Sequence, residues 1–245
     1  MADLAKVDWD TYAADYDVLR LLKPYDDMLR LVAGFVCGVS GLVVDVGCGT
    51  GNLSSLLDST KPDRHIVAFD RSKEMLAIAR RKCPRVAFYE GDLDEPLVLK
   101  DATCDAIVST NVLYTLADPA ASMREFARVL KPGARLVVTT PKSGQDNGLI
   151  LKAHCNSGKS NAHWMGIDSL DRAYALLVEA GIADVHIPRF LSVWEINQLI
   201  AAQRTYSFFT AGDLSQLFID SGFTLELVGQ TYADQCHLIV AIKSR

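Results

Sequence analysis

The stretch Val43-Val44-Asp45-Val46-Gly47-Cys48-Gly49-Thr50-Gly51-Asn52-Leu53 constrains this chain more than any other. A β-branched run that reads as a buried strand passes directly into a turn with glycine at every second position, then into a helical pattern. Glycine tolerates positive φ and lets backbone approach a ligand where a side chain would clash. The stretch therefore predicts a first βα unit with a ligand above its turn. The spacing is G-x-G-x-G, with Asn52 at the sixth position, where a dinucleotide fingerprint carries its last glycine.

From residue 42 to about 140 the same rhythm repeats: a short apolar run, a turn bearing glycine or aspartate, and a stretch with helical spacing. It predicts βα units in a parallel sheet. Strands are expected at Leu42–Val46, His65–Phe69, Arg85–Tyr89, Asp105–Ser109 and Arg135–Thr139, with helices near Leu53–Asp58, Ser72–Lys82 and Pro119–Leu130. Lys131-Pro132-Gly133 reads as the stop after the last of these helices and the start of strand five. Near the end, Thr210 caps a helix over Ala211–Ser221, Gly222 closes it, and Phe223–Gly229 and His237–Ile242 form a terminal pair of strands. The fold class predicted is α/β: a doubly wound, mostly parallel, seven-stranded Rossmann-like sheet whose last strand is antiparallel.

All 245 residues are read as one domain. Residues 143–209 exceed any simple crossover and predict a helical cap inserted after strand five, with helices at Gly148–His154, Asp168–Ala180 and Val193–Ala202. The N-terminal segment Asp8–Val39 reads as one or two helices closing over the same sheet edge.

Two further elements sit at cofactor-binding distances from the glycine turn. Asp70 ends the second strand about 20 residues on, where a carboxylate can accept both hydroxyls of a ribose. Glu90-Gly91-Asp92-Leu93 follows strand three, where an Asp can accept an adenine amino group. Together with Phe69-Asp70-Arg71-Ser72, Met75-Leu76, Cys104 to Ser109, Leu130 to Gly133 and the opening Trp9 to Asp17, these residues resemble the class I S-adenosylmethionine-dependent methyltransferases, in particular the small-molecule branch of ubiquinone- and menaquinone-biosynthesis type. The resemblance covers residues 8–142 and the last 35.

That resemblance implies S-adenosylmethionine as the cofactor. Asp45, Gly47, Cys48, Gly49 and Gly51 would lie along its methionine part, Asp70 and Arg71 at the ribose, Met75 or Leu76 at the purine edge, and Gly91, Asp92 and Leu93 at the adenine. Ser109, Thr110 and Asn111, at the tip of strand four, would face the sulfonium and the amino group. Each has a plainer rival: the glycines could serve only a tight turn, Asp70 could merely open the next helix, and Asp92 could be a surface turn residue.

Displacement at a carbon already activated by a positive sulfur needs positioning and desolvation more than a signature catalytic residue. Aromatic faces stabilise a cation without competing as nucleophiles, which selects Tyr16, Tyr114, Trp164 and Tyr206. If the acceptor must lose a proton, His154 or His163 is the candidate base, though a lone histidine in an insertion is more often solvated or structural.

The net charge of −5, with no basic stripe, argues against nucleic acid as partner. Six scattered cysteines without a Cys-x-x-Cys pair suggest neither zinc nor a disulfide framework and fit a reducing cytoplasm. The longest apolar stretch, Leu31–Val44, is interrupted by Ser40 and too short to span a bilayer. Ser157-Gly158-Lys159-Ser160 resembles the end of a P-loop but lacks its first glycine and preceding strand. No Asn/Asp-Pro-Pro-aromatic turn follows strand four.

The expected function is methyl transfer from S-adenosylmethionine to a small, partly apolar metabolite under the cap. The alternatives are a cyclase in which the cofactor's own amino group displaces methylthioadenosine to give a cyclic amino acid such as azetidine-2-carboxylate, a sensor that binds the cofactor unchanged, and an NAD-dependent oxidoreductase. The oligomeric state is left open.

Overall fold

The computed structural model describes residues 7–61, 63–155, 169–202 and 205–245. In chain order these give α1 (Trp9–Tyr16), α2 (Lys23–Phe35), β1 (Leu42–Val46), α3 (Asn52–Thr60), β2 (His65–Asp70), α4 (Lys73–Lys82), β3 (Ala87–Glu90), β4 (Cys104–Thr110), α5 (Pro119–Val129), β5 (Leu130–Pro141), α6 (Asn147–Cys155), α7 (Leu170–Glu179), α8 (Ile187–Ala202), α9 (Ala211–Asp220), β6 (Phe223–Thr231) and β7 (Cys236–Lys243).

The strands form one seven-stranded sheet in the order β3-β2-β1-β4-β5-β7-β6, with β7 antiparallel to both neighbours. Side chains alternate between two cores, as strands buried on both faces require. Val43, Ala106, Val108 and Val137 pack on one face with Leu53, Leu57, Leu76 and Ala79 of α3 and α4. Val44, Val46, Ile107, Leu136 and Val138 pack on the other with Met123 and Phe126 of α5 and Leu214 and Phe218 of α9. This is the doubly wound architecture that the repeated βα rhythm predicts.

Helix starts follow local chemistry. Ser72, Asp118 and Thr210 cap α4, α5 and α9 by accepting the N–H of Met75, Ala121 and Asp213. Gly222, at φ +89°, follows α9 as the sequence predicts. Two starts differ by several residues: β5 begins at Leu130, five before the expected Arg135, and α8 at Ile187, six before the expected Val193, while α5 stops at Val129, one short of the expected Leu130. Leu130 pairs with Cys104, and an irregularity between Cys104 and Ala106 absorbs the turn that Lys131-Pro132-Gly133 was expected to make outside the strand.

The strand order reverses between β1 and β4, and there open α/β sheets bind ligands beyond the carboxyl ends of their strands. Helices α1 and α8 pack against each other at this edge. Arg189 of α8 donates to the Asp15 carboxylate at 3.1 Å and to the Ala14 carbonyl at 2.7 Å. Tyr12 of α1 donates to Asn197 Oδ1 of α8 at 3.1 Å.

Candidate active site

The glycine turn is built from three residues with different tasks. All have positive φ: Gly47 at +71°, Gly49 at +53° and Gly51 at +77°. A Cβ at Gly47 would fall 2.2 Å from Val112, so this glycine lets the tips of β1 and β4 close together. A Cβ at Gly51 would meet Ala79 and Phe88 within 3.0 to 3.3 Å, so this one lets α3 start against α4. At Gly49 the nearest atoms to such a Cβ are Met75 Sδ at 3.7 Å and Tyr16 Cε1 at 3.8 Å, and the space between them is open.

That space belongs to a narrow cavity of about 70 Å³ lined by Gly47, Gly49, Asp70, Arg71, Met75, Gly91, Asp92, Leu93, Thr110 and Asn111, with Trp9 and Tyr16 from α1. Nearly every residue comes from the end of a strand or the turn after it. Its lining brings together the residues expected at ribose, purine and adenine. Asp70 takes the Gly49 N–H at 2.8 Å on one carboxylate oxygen and the Ser72 N–H at 2.9 Å on the other. Burial raises its pKa, against these two donors. Asp92 accepts the Asp94 N–H at 3.1 Å, which fixes the turn after Gly91.

Four residues expected at the cofactor lie behind this lining. Gly51 is spent on helix packing. Cys48 and Ser109 are buried beneath the turn. Asp45 is fully buried, and its Oδ2 accepts the Ser54 hydroxyl at 2.6 Å. Its Oδ1 has no hydrogen-bond partner, an expensive condition for a buried carboxylate. Burial lifts its pKa to about 7, and the nearby Asp70 adds to the rise. A cationic ligand group in the cavity would stabilise this carboxylate through space, so the site fits a cofactor with both a nucleoside and an amino-acid end.

A second, larger cavity of about 420 Å³ adjoins the first, and Trp9, Tyr16 and Asn111 line both. Its walls are Tyr12, Tyr25, Tyr114, Phe208 and Tyr232, a polar run from Lys142 to Asn147 after β5, and Trp194, Asn197 and Gln198 of α8. Tyr16 and Tyr25 meet edge-on at 6.3 Å between ring centres, as do Tyr25 and Tyr232 at 5.9 Å, and Tyr114 stacks on Phe208 at 5.5 Å. Burial holds the Tyr12, Tyr16, Tyr114 and Tyr232 hydroxyls well above the usual phenol range and raises that of Tyr25, so all stay protonated.

The catalytic candidates from sequence divide. Tyr16 and Tyr114 line the large cavity. Tyr206 stands behind it, edge-on to Tyr114 at 5.5 Å, and supports that ring instead of lining the space. His154 is displaced from the role of base: its Nδ1 accepts the Lys23 N–H at 3.1 Å, satisfying a free donor at the start of α2, and it lines neither cavity. His163 and Trp164 lie outside the described residues. Trp9, Tyr12, Tyr25, Tyr232, Lys142 and Asn197 were not foreseen; of these, only Trp9 and Tyr12, in the Trp9 to Asp17 stretch, carried a sequence signal.

The N-terminal helix is latched over the narrow cavity. Asp10 Oδ1 accepts the Ser72 hydroxyl at 2.5 Å and the Glu74 N–H at 3.3 Å. Asp17 accepts the Thr50 hydroxyl at 2.5 Å and pairs with Lys82 at 2.9 Å.

Comparisons with known proteins agree with this geometry. Residues 44–138 match the family described as "Methyltransferase domain". The chain is 36% identical over 132 residues to trans-aconitate 2-methyltransferase of Methylobacterium nodulans, covering 52% of this chain and 50% of that one. It is 36% identical over 130 residues to malonyl-[acyl-carrier protein] O-methyltransferase of Hahella chejuensis, covering 52% and 46%. It thus spans about half the length of these curated relatives. A crystal structure of a SAM-dependent methyltransferase from Aquifex aeolicus shares the fold, with a TM-score of 0.58 at 17% identity over 97% of this chain and 99% of that one. The glycine turn and the sheet order agree with these matches: over residues 44–138 the chain is similar to the methyltransferase domain family, and S-adenosylmethionine is the cofactor that this similarity indicates.

Proposed function

We propose that the protein transfers a methyl group to a small, partly apolar molecule held in the large cavity. The observation that carries this reading is the shared wall: Tyr16 and Asn111 border both the cofactor cradle and the 420 Å³ cavity, so two ligands would meet at those residues. The relatives named for trans-aconitate and for a malonyl group on acyl-carrier protein support a small acceptor moiety.

S-adenosylmethionine, when bound, supplies a methyl group already activated on a positive sulfur. The chain's part is to hold and screen it. Asp70 would take the ribose, Asp92 and Leu93 the adenine and Met75 the purine edge, while Asp45, behind the lining, would favour the ammonium group through space. Tyr16 and Tyr114 present electron-rich faces that favour a cation without attacking it. The helices after β5 would act as a cap, with α8 and α1 keeping water from the junction. The net charge of −5 supports a small-molecule partner over nucleic acid, and the six cysteines, all unpaired, support a cytoplasmic location.

The test is incubation of the purified protein with S-adenosylmethionine, alone and with a fractionated metabolite extract, followed by mass spectrometry. S-adenosylhomocysteine formed only in the presence of extract is the expected result. Steady release of methylthioadenosine from the cofactor alone would overturn it.

A further inference from the structure

The wall shared by the two cavities is biased toward hydrogen-bond donors. Asn111 follows β4 at φ +56°, a left-handed conformation that asparagine tolerates. Its Oδ1 accepts the Thr139 hydroxyl at 3.1 Å and the Cys236 thiol at 3.5 Å. Both acceptor positions of that oxygen are thereby filled. The Nδ2 hydrogens remain, with the weak acceptor Met28 Sδ at 4.0 Å.

Three other residues of the lining, Tyr16, Asn197 and Lys142, also present donors. Tyr25 donates its hydroxyl to Tyr16 at 3.3 Å, leaving the Tyr16 proton for another acceptor. Asn197 Oδ1 is taken by Tyr12, leaving its amide hydrogens. Lys142 follows Pro141, whose partner in the β5–β7 register is Cys236; it lines the same cavity as Asn111, and its charge is felt at the Cys236 thiol. Lys142 has no carboxylate partner among the described residues. The Asp146 carboxylate on the same wall accepts the Gly148 N–H at 2.8 Å at the start of α6.

From this donor bias we propose that the acceptor molecule is an organic carboxylate, its oxygens received by the Asn111 amide and the Lys142 ammonium, and its apolar body lying against Tyr12, Tyr114 and Phe208. The proposal rests on the methyl-transfer reading and narrows it. A carboxylate is a nucleophile at neutral pH without losing a proton. This matches a described lining whose titratable groups are protonated tyrosines, Lys142 and the bonded Asp146. Neutral amides and esters of the same shape would leave the Lys142 charge uncompensated.

Isothermal titration with the protein saturated in S-adenosylhomocysteine tests this. The probes are benzoate, trans-cinnamate and octanoate, each against its primary amide. At least one acid is expected to bind about tenfold or more tighter than its amide, the scale of one charge-assisted hydrogen bond. Lys142→Met is expected to abolish that preference and Lys142→Arg to retain it, with S-adenosylhomocysteine affinity unchanged in both as the control for folding. Equal affinity for acid and amide, or no binding of any acid, overturns the carboxylate proposal while leaving methyl transfer standing. Failure of the unmodified protein to bind S-adenosylhomocysteine overturns both.

Discussion

Asp70 accepts the backbone N–H of Gly49 at 2.8 Å, tying the end of the second strand to the middle of the glycine turn. The same carboxylate accepts the Ser72 N–H, so one side chain shapes the turn after β1 and the start of α4 at once. Asp70→Ala leaves two backbone donors without their partner. A loss of about 2–4 kcal/mol in stability is expected, with at least about a tenfold loss of cofactor affinity. Asp70→Asn, which keeps one acceptor oxygen, is expected to fall between. Thermal unfolding with and without S-adenosylhomocysteine measures both effects.

Gly47 and Gly49 are expected to fail differently when each is changed to Ala. At Gly47 the new methyl collides with Val112, and stability is expected to drop by about 2–4 kcal/mol from overpacking and positive φ together. At Gly49 the nearest atoms are at ordinary contact distance, so the stability loss is limited to about 1–2 kcal/mol of backbone strain. The Gly49 methyl instead occupies the cavity, and cofactor affinity is expected to fall at least about tenfold. Denaturant unfolding beside direct cofactor titration separates the two; equal stability losses would contradict the division of tasks.

The Asp45 carboxyl gives a pH signature. Its pKa is raised from 3.8 to about 7 in the folded chain. Its contribution to stability is therefore fully present below about pH 4 and lost as pH rises through about 7. A cationic ligand group beside it favours the carboxylate, so cofactor affinity is expected to rise between about pH 6 and 8 with release of a proton. Calorimetry in buffers of different ionisation enthalpy counts that proton. In Asp45→Asn both the proton release and this part of the pH dependence should vanish.

Tyr114 and Tyr206 separate acceptor binding from cofactor binding. Tyr114 lines the large cavity, and Tyr206 packs against its ring from behind. Tyr206→Ala is expected to lower turnover about three- to tenfold by loosening Tyr114, the scale of one lost aromatic contact. Tyr114→Ala should cost more. Cofactor affinity in both should stay within a few-fold. Steady-state kinetics with cofactor titration checks this; a parallel loss of cofactor affinity would place Tyr114 in the cradle instead.

Much of the cofactor half was legible in the sequence because its chemistry is local. A strand, a glycine turn and a helix are neighbours along the chain, and positive φ at Gly47, Gly49 and Gly51 is a backbone demand that residue type announces directly. Asp70, Gly91 and Asp92 follow strands, so once the βα rhythm is read their place at one end of the sheet follows. What that reading missed is that adjacent residues divide between lining and support: Gly49 opens into the cavity while Gly51 packs a helix, and Asp45 is buried behind both.

The large cavity was not legible because its walls are assembled from distant parts of the chain. Tyr12 meets Asn197 across 185 positions and Cys236 meets Asn111 across 125. No periodicity links such pairs, since they are joined by how α1 and α8 pack and by the antiparallel entry of β7 beside β5. His154 shows the converse: a residue type that suggested chemistry was consumed by a helix start near it in space and 131 positions away in sequence. The sequence alone thus determined the sheet and the cofactor, through short-range backbone requirements. Only the tertiary structure decided which aromatic rings and amides face the second ligand, because that depends on long-range packing.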